Sequence, residues 1–322
     1  MKDYKKNKTV PALLKRVSFQ CQKPIVENEL NGLISHIKNK FSNSLSGIIL
    51  YGSCLHENNL KKGVVDLYVI VNNYKDAYGN TPLRTLNFLL PPNIFYFESL
   101  GTENKIRSKY AVISLEDFQQ GAERWFHSYI WSRFSQPVKL LYSRDNATEA
   151  YLHSLFVQSV IMFFKKTAPV LGPGVFSAEA IWTNGLTLTY SAELRPELQN
   201  RAAYIIHQAG DDLIGLIQDA TPRLPGLLQQ LPSGEYKINV TNAGRRYALL
   251  QWKLRRWQGR LFSIIRLIKA VFTFKDCVDY AAWKIERHTG VTIDVTPRLK
   301  KHPILFGFNI LCKLLKKNTL HW

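Results

Sequence analysis

Acidic residues are scarce in this chain. Its 322 residues hold 24 Asp/Glu against 43 Lys/Arg, a net charge of +19 with a pI near 9.7. Such a balance argues against a cationic partner and for an anionic one: nucleic acid, nucleotide or an anionic membrane surface. The excess is uneven. Residues 245–322 hold 17 Lys/Arg against 4 Asp/Glu, so about +13 of the +19 lies in the last quarter. Cysteine is also sparse. Cys21, Cys54, Cys277 and Cys312 form no C-x-x-C pair, and no His/Cys cluster has metal spacing. That speaks against structural zinc and for reduced thiols in a cytosolic setting. The basic start, MKDYKKNKTVPALLKR, lacks the apolar centre of a secretory signal. No apolar run reaches the roughly 18–20 residues of a membrane span. The segment His302 to Leu315, HPILFGFNILCKLL, is too short. Internal repeats and low-complexity linkers are absent as well.

What is present is a chain that is 46% hydrophobic, enough for a sizeable core. The first part alternates element types. The pattern predicts a helix near Val26–Phe41 and strands at Ile48–Tyr51 and Val64–Val71. Further strands are expected at Asn93–Ser99, Lys109–Leu115 and Pro137–Tyr142. Ser114 and Asp117 form a capping box that opens a helix expected to run to about Phe134. Beyond Asn146, apolar residues recur at spacings of three and four in Tyr151–Phe164, Arg201–Ile217 and Tyr247–Phe272. The expectation is an α+β fold: a mixed sheet with helices over residues 1–145, a helical domain over 146–275, and a basic extension over 276–322.

One stretch carries chemistry. In GIILYGSCLHENNLKKGVVDLYVIV, Gly52-Ser53 ends one apolar strand and Asp66 is the one acid of the next. A Gly-Ser turn lets backbone N–H groups approach a phosphate, and the Ser53 hydroxyl adds a donor. An acid on the neighbouring strand can hold Mg²⁺ against that phosphate. This layout resembles nucleotidyltransferases of the DNA polymerase beta superfamily. It departs from their D-x-D pair, because Asp66 is followed by Leu67 and Tyr68. The bland reading is a tight turn and a strand-end acid.

Three later blocks sharpen the resemblance. KYAVISLEDFQQGAERWFHSYIWSRFSQPVKLL (Lys109–Leu141) resembles a K-Y-G-V-I-S … W-x-x-L-Y-x-x-G-R-x-x-K-P-V block. That block belongs to the mitochondrial translocator assembly and maintenance protein family of phosphatidate cytidylyltransferases. LTLTYSAELRPE (Leu186–Glu197) and, more loosely, SIIRLIKAVFTF (Ser263–Phe274) resemble two further blocks of that family, in the same order. Its D-F-V-F strand also has a single acid. Ala111, Ser132, Gln136 and Glu193 stand where the family has Gly, Gly, Lys and Asp. The match spans residues 45–275, and the segment from Cys277 has no counterpart.

The resemblance implies Mg²⁺-dependent attack of phosphatidate on the α-phosphorus of CTP, giving CDP-diacylglycerol and pyrophosphate. It implies Asp66 and Glu193 as metal acids. It implies Lys109 and Arg195 as catalytic phosphate ligands, and Gly52, Ser53 and Arg133 as nucleotide contacts. Bland alternatives stay open: Glu193 as a partner of Arg195, and Arg133 as a partner of Glu123 or Asp117. Glu98 is a lesser metal candidate and His56 a lesser nucleotide contact. Tyr68 and Tyr110 read as packing. The lack of a transit peptide points to a bacterial-type protein, cytoplasmic and peripheral on the inner face of the cell membrane.

The apolar stripe of Tyr247–Phe272 reads as core packing with a solvated basic face. The lysine-bracketed segment Leu299–Lys317 reads as an interfacial anchor. Two rival functions remain: a nucleotidyltransferase acting on RNA or another polar acceptor, and a non-catalytic basic adaptor on the same fold.

Overall fold

The strand carrying Asp66 shows how the sheet is built. In VVDLYVIV every second side chain points the same way, as a pleated strand requires. Val65, Leu67, Val69 and Val71 enter one core; Tyr68 and Ile70 enter the other. Both faces are therefore covered, which is why the run is almost wholly apolar. Asp66 shares its face with Tyr68 and Ile70 but lies nearer the strand's start.

The computed structural model describes residues 11–22, 30–52, 55, 64–100, 105–193, 201–273, 282, 292 and 294–301. Helices α1 (Pro11–Gln22) and α2 (Asn31–Phe41) precede β1 (Leu45–Tyr51) and β2 (Val64–Val71). Short helices α3 (Tyr74–Tyr78) and α4 (Pro82–Leu89) lead to β3 (Asn93–Leu100) and β4 (Lys105–Ser114). Helix α5 (Leu115–Glu123) and a run of turns lead to β5 (Lys139–Ser143). The sheet order is β3-β4-β2-β1-β5, with β2 and β4 parallel and every other pair antiparallel. The chain is thus α+β with a mixed sheet.

Leu33, Ile37 and Phe41 of α2 cover one face of the sheet. The other face, with Ile49, Tyr68, Ile70, Ala111 and Ile113, is covered by α1, α5 and the long helix α6 (Asn146–Leu171). Next come β6 (Gly174–Phe176), α7 (Ala178–Ser191) and α8 (Arg201–Ala220). Strands β7 (Leu228–Gln230) and β8 (Tyr236–Ile238) join β6 in a small antiparallel sheet. The 32-residue α9 (Asn242–Thr273) and a short α10 (Pro297–Lys301) follow. Asp145 caps α6 through the Thr148 amide, so the change from sheet to helices falls there. The apolar core runs through it without a break, from Ile49 and Tyr68 to Leu186 and Trp252. By length and composition α6 could cross a membrane. Here Leu152, Phe156, Val160, Phe163 and Phe164 place it in the centre of that core.

Two expectations need correction. The helix capped by Ser114 ends at Glu123, not near Phe134. Gly121 packs so tightly on Ile130 that a Cβ would lie 2.6 Å from it. The chain then doubles back in turns, which aims Ile130, Trp131 and Phe134 into the core. The second correction concerns α9. The apolar stripe read as core faces out: Leu250, Leu254, Trp257, Leu261, Ile264, Ile265 and Ile268 are exposed. The opposite face is buried and carries Trp252, Arg255, Arg266 and Lys269. Their donors explain the choice. Arg255 Nε donates to the Phe126 carbonyl and Arg266 to that of Pro91. Lys269 Nζ donates to the carbonyls of Leu86, Leu90 and Pro92. Those carbonyls include orphan acceptors at the end of α4, where a cation also meets the favourable pole of the helix dipole.

Candidate functional site

Three strands bring the first cluster together. Tyr51 on β1 and Lys109 on β4 are the register partners of Asp66 on β2. All three side chains belong to the face that the helices cover, at the end where the cover stops. Lys109 Nζ lies 2.9 Å from Asp66 Oδ1, and the Asp66 side chain keeps 25% of its surface exposed. Gly52 follows Tyr51 with φ +88°, a left-handed conformation that costs little only for glycine. A Cβ there would sit 3.3 Å from Asp66 Oδ2. The missing side chain is what leaves room beside the carboxylate.

A second cluster lies deeper. Arg133, in the turns after α5, holds Glu193, just past α7, at 2.7 Å. The two side chains are only 10% and 12% exposed. Arg133 also donates to the Tyr129 carbonyl and lies 3.8 Å from the centre of the Tyr129 ring. Arg266 of α9 lies at the same distance from that ring. Helix α9 can come this close because Gly259 has no side chain; a Cβ there would meet the Ala192 carbonyl at 2.2 Å.

Tyrosines link the clusters. The rings of Tyr51 and Tyr68 are 5.0 Å apart. Burial raises the Tyr51 hydroxyl pKa, Asp66 raises it further, and Lys109 and Arg133 oppose. The Tyr68 hydroxyl is raised too, by burial first and Tyr129 next, and has no hydrogen-bond partner. Burial works against the charge on Arg133, but Glu193 and the three tyrosines outweigh it and its pKa is raised. His127 packs at a tilt against Trp125 and edge-to-face with Phe262. Burial, with Arg266 adding, lowers it to about 3, so its ring is neutral at physiological pH.

The structure thus brings Gly52, Asp66 and Lys109 together, and places Arg133 with Glu193 one layer further in. Glu193 pairs with Arg133, and Arg133 pairs with neither Glu123 nor Asp117; the Asp117 carboxylate instead accepts from the Tyr74 hydroxyl, and its amide donates to Ser114, the N-cap of α5. Ser53, His56, Arg195 and the tail over residues 302–322 lie outside the described residues. Glu98 pairs with Arg107 and accepts from the Tyr96 hydroxyl on β3. Tyr68 is buried in the core, while Tyr110 also accepts a hydrogen bond from Lys40. Tyr51, His127, Tyr129 and Arg266 were not singled out from the sequence. The spacing of Tyr129 and Arg133, one helical turn apart, was the available signal.

Mg²⁺ takes one or two protein carboxylates together with phosphate oxygens and water. Asp66 fits that demand as a partly open carboxylate with space beside it. Glu193 would have to release Arg133 to join it. Among the described residues no group of three or more His, Cys, Asp and Glu side chains converges.

No family model matches the chain, and no curated protein matches it. Among solved structures it is similar to a nucleotidyltransferase-like protein from Exiguobacterium sibiricum 255-15. The identity is 11%, over 90% of this chain and 91% of that one, with a TM-score of 0.28. A likeness at that level carries no functional argument.

Proposed function

We propose that this chain is a Mg²⁺-dependent nucleotidyltransferase, and more finely a CTP:phosphatidate cytidylyltransferase acting at an anionic membrane surface from the cytoplasmic side. The observation that carries the reading is the surroundings of Asp66. A strand-end carboxylate, part exposed, is flanked by a left-handed glycine and paired to a lysine from the next strand. A merely structural acid has no need of a Cβ-free neighbour.

Bound Mg²⁺ would supply charge compensation for a triphosphate, held by Asp66. The protein's part is position and charge. Gly52 leaves the backbone open to a phosphate, with Ser53 next to it in sequence. Lys109, freed in part from Asp66 by a bound cation, would turn to the phosphate oxygens. Arg133 and Arg266 supply deeper positive charge, and Arg195 remains a candidate for the same role. The choice of cytidine and phosphatidate rests on the three sequence blocks. A phosphomonoester with a second pKa of about 6 is already anionic at neutral pH. Its oxygen therefore needs positioning and electrostatic support more than a strong base.

Pyrophosphate release by purified protein with Mg²⁺, CTP and phosphatidate vesicles tests the reading, beside Asp66→Ala and beside ATP, GTP and UTP. Release with CTP and phosphatidate that the variant loses supports it. Release without lipid points to a polar acceptor such as RNA. Silence with every nucleotide favours the adaptor.

A further inference from the structure

Helix α9 carries two heptad stripes on opposite faces. Trp252, Arg255, Gly259, Phe262, Arg266 and Lys269 follow one another at spacings of 3, 4, 3, 4 and 3. Leu250, Leu254, Trp257, Leu261, Ile264 and Ile268 follow at 4, 3, 4, 3 and 4. Hydrophobicity alone would bury the second stripe. The fold buries the first, and its cations fix the helix's rotation by holding backbone carbonyls from two separate segments, Leu86–Pro92 and Phe126. Trp257 is consequently 69% exposed while Arg255 is 1% exposed. A contiguous apolar stripe of this length on a surface marks an interaction site.

We infer that the outward face of α9 is the surface by which this protein docks on an anionic lipid bilayer. Charge decides the occupant. The 32 residues of α9 include no Asp or Glu. Lys253, Arg256 and Arg260 line a shallow depression together with Trp257, Leu261 and Ile264. A second copy of the same face would set these cations against their own kind. The lysine-bracketed stretch Leu299–Lys317 is no better a cover: it brings Lys300, Lys301, Lys313, Lys316 and Lys317 and no acid. An anionic bilayer offers both what the stripe lacks, negative charge and an apolar medium. From Leu250 to Ile268 the stripe is about 27 Å long at 1.5 Å per residue. A tryptophan near its middle suits the headgroup boundary. The docked helix would also lie against the site, because Arg266 on its inner face touches Tyr129. The inference deepens the lipid-acceptor reading but is tested without turnover.

The test is co-flotation of the full chain with phosphatidylcholine vesicles, with and without phosphatidylserine, in the absence of phosphatidate and nucleotide. One variant carries Lys253→Glu, Arg256→Glu and Arg260→Glu; a second carries Leu254→Ser, Trp257→Ser and Leu261→Ser. A third carries Lys313→Glu, Lys316→Glu and Lys317→Glu. Every altered α9 side chain is solvent-facing or borders the depression, and circular dichroism and thermal unfolding confirm the fold. Wild type should bind only the anionic vesicles. The charge variant should bind about 100-fold more weakly, at roughly fivefold per basic residue. The apolar variant should lose binding, and the third variant should keep most of it. Undiminished binding by both α9 variants would overturn the inference. So would a wild-type dimer that the apolar variant turns to monomer, since a second copy would then cover the face. Lost vesicle binding with turnover kept on detergent-dispersed phosphatidate supports docking as separate from chemistry. Vesicle binding without any turnover leaves docking standing and removes the proposed reaction.

Discussion

Two ion pairs stand on either side of Tyr51, and they are built differently. Asp66–Lys109 joins adjacent strands at the edge of the helical cover, and each side chain keeps about a quarter of its surface, 25% and 27%. Arg133–Glu193 joins the turns after α5 to the end of α7 and is almost wholly enclosed. Solvent screens the outer pair, so it adds little to stability and can exchange partners cheaply. The inner pair has lost its water, and either member left alone would be a buried charge. The outer pair can therefore exchange partners at little cost, while the inner one holds the packing around it in place.

The largest expected effect tests the outer pair. Asp66→Asn should lower nucleotidyl transfer by about 1,000-fold, as loss of a metal-binding carboxylate would, while stability changes by less than about 1 kcal/mol. Activity assay beside urea unfolding decides it; a variant that is strongly destabilised in urea yet turns over normally in buffer would reverse the roles of the two pairs. For the inner pair, Glu193→Gln should cost about 3–5 kcal/mol in urea unfolding, because Arg133 keeps its buried charge. Replacing both, as Arg133→Met with Glu193→Leu, should recover much of that loss. If Glu193→Gln leaves stability intact and abolishes Mg²⁺ dependence instead, Glu193 belongs with Asp66.

His127 gives the inner region a pH signature. Its folded pKa of about 3 lies below the ordinary value of about 6.5. The unfolded chain then binds more protons between those values, so stability falls as pH drops through that window and is unaffected above it. The loss should reach about 2 kcal/mol by pH 5. The groups that face the ring are Arg266, Glu193 and Arg133, and His127→Phe should flatten the curve. Unfolding at pH 7 and pH 5 measures the difference. The smallest effect concerns Gly52→Ala. A left-handed alanine costs about 1–2 kcal/mol, and its Cβ would crowd Asp66 Oδ2. A variant with that loss of stability but unchanged KM for nucleotide would show that Gly52 serves only the turn.

Much of the sheet could be read from the chain. Val64–Val71 is a strand over the predicted span, and Ser114 caps the helix after β4 through the Asp117 amide. Asp66 and Gly52 could be named as candidates because strand spacing and turn chemistry are local, whereas Lys109 entered only through the resemblance. The Arg133–Glu193 pair could not be read so, since 60 residues separate its members. Nothing local tells an arginine which of several carboxylates will reach it.

Helix α9 marks the boundary most sharply. Its sequence settled that a long helix with two faces would form, because periodicity and propensity act within a few turns. Which face would turn inward depended on carbonyls more than 120 positions away, at Pro91, Pro92 and Phe126. A buried acceptor without a donor costs more than a leucine left at the surface. That balance exists only once distant segments have met, so the tertiary structure alone decided it.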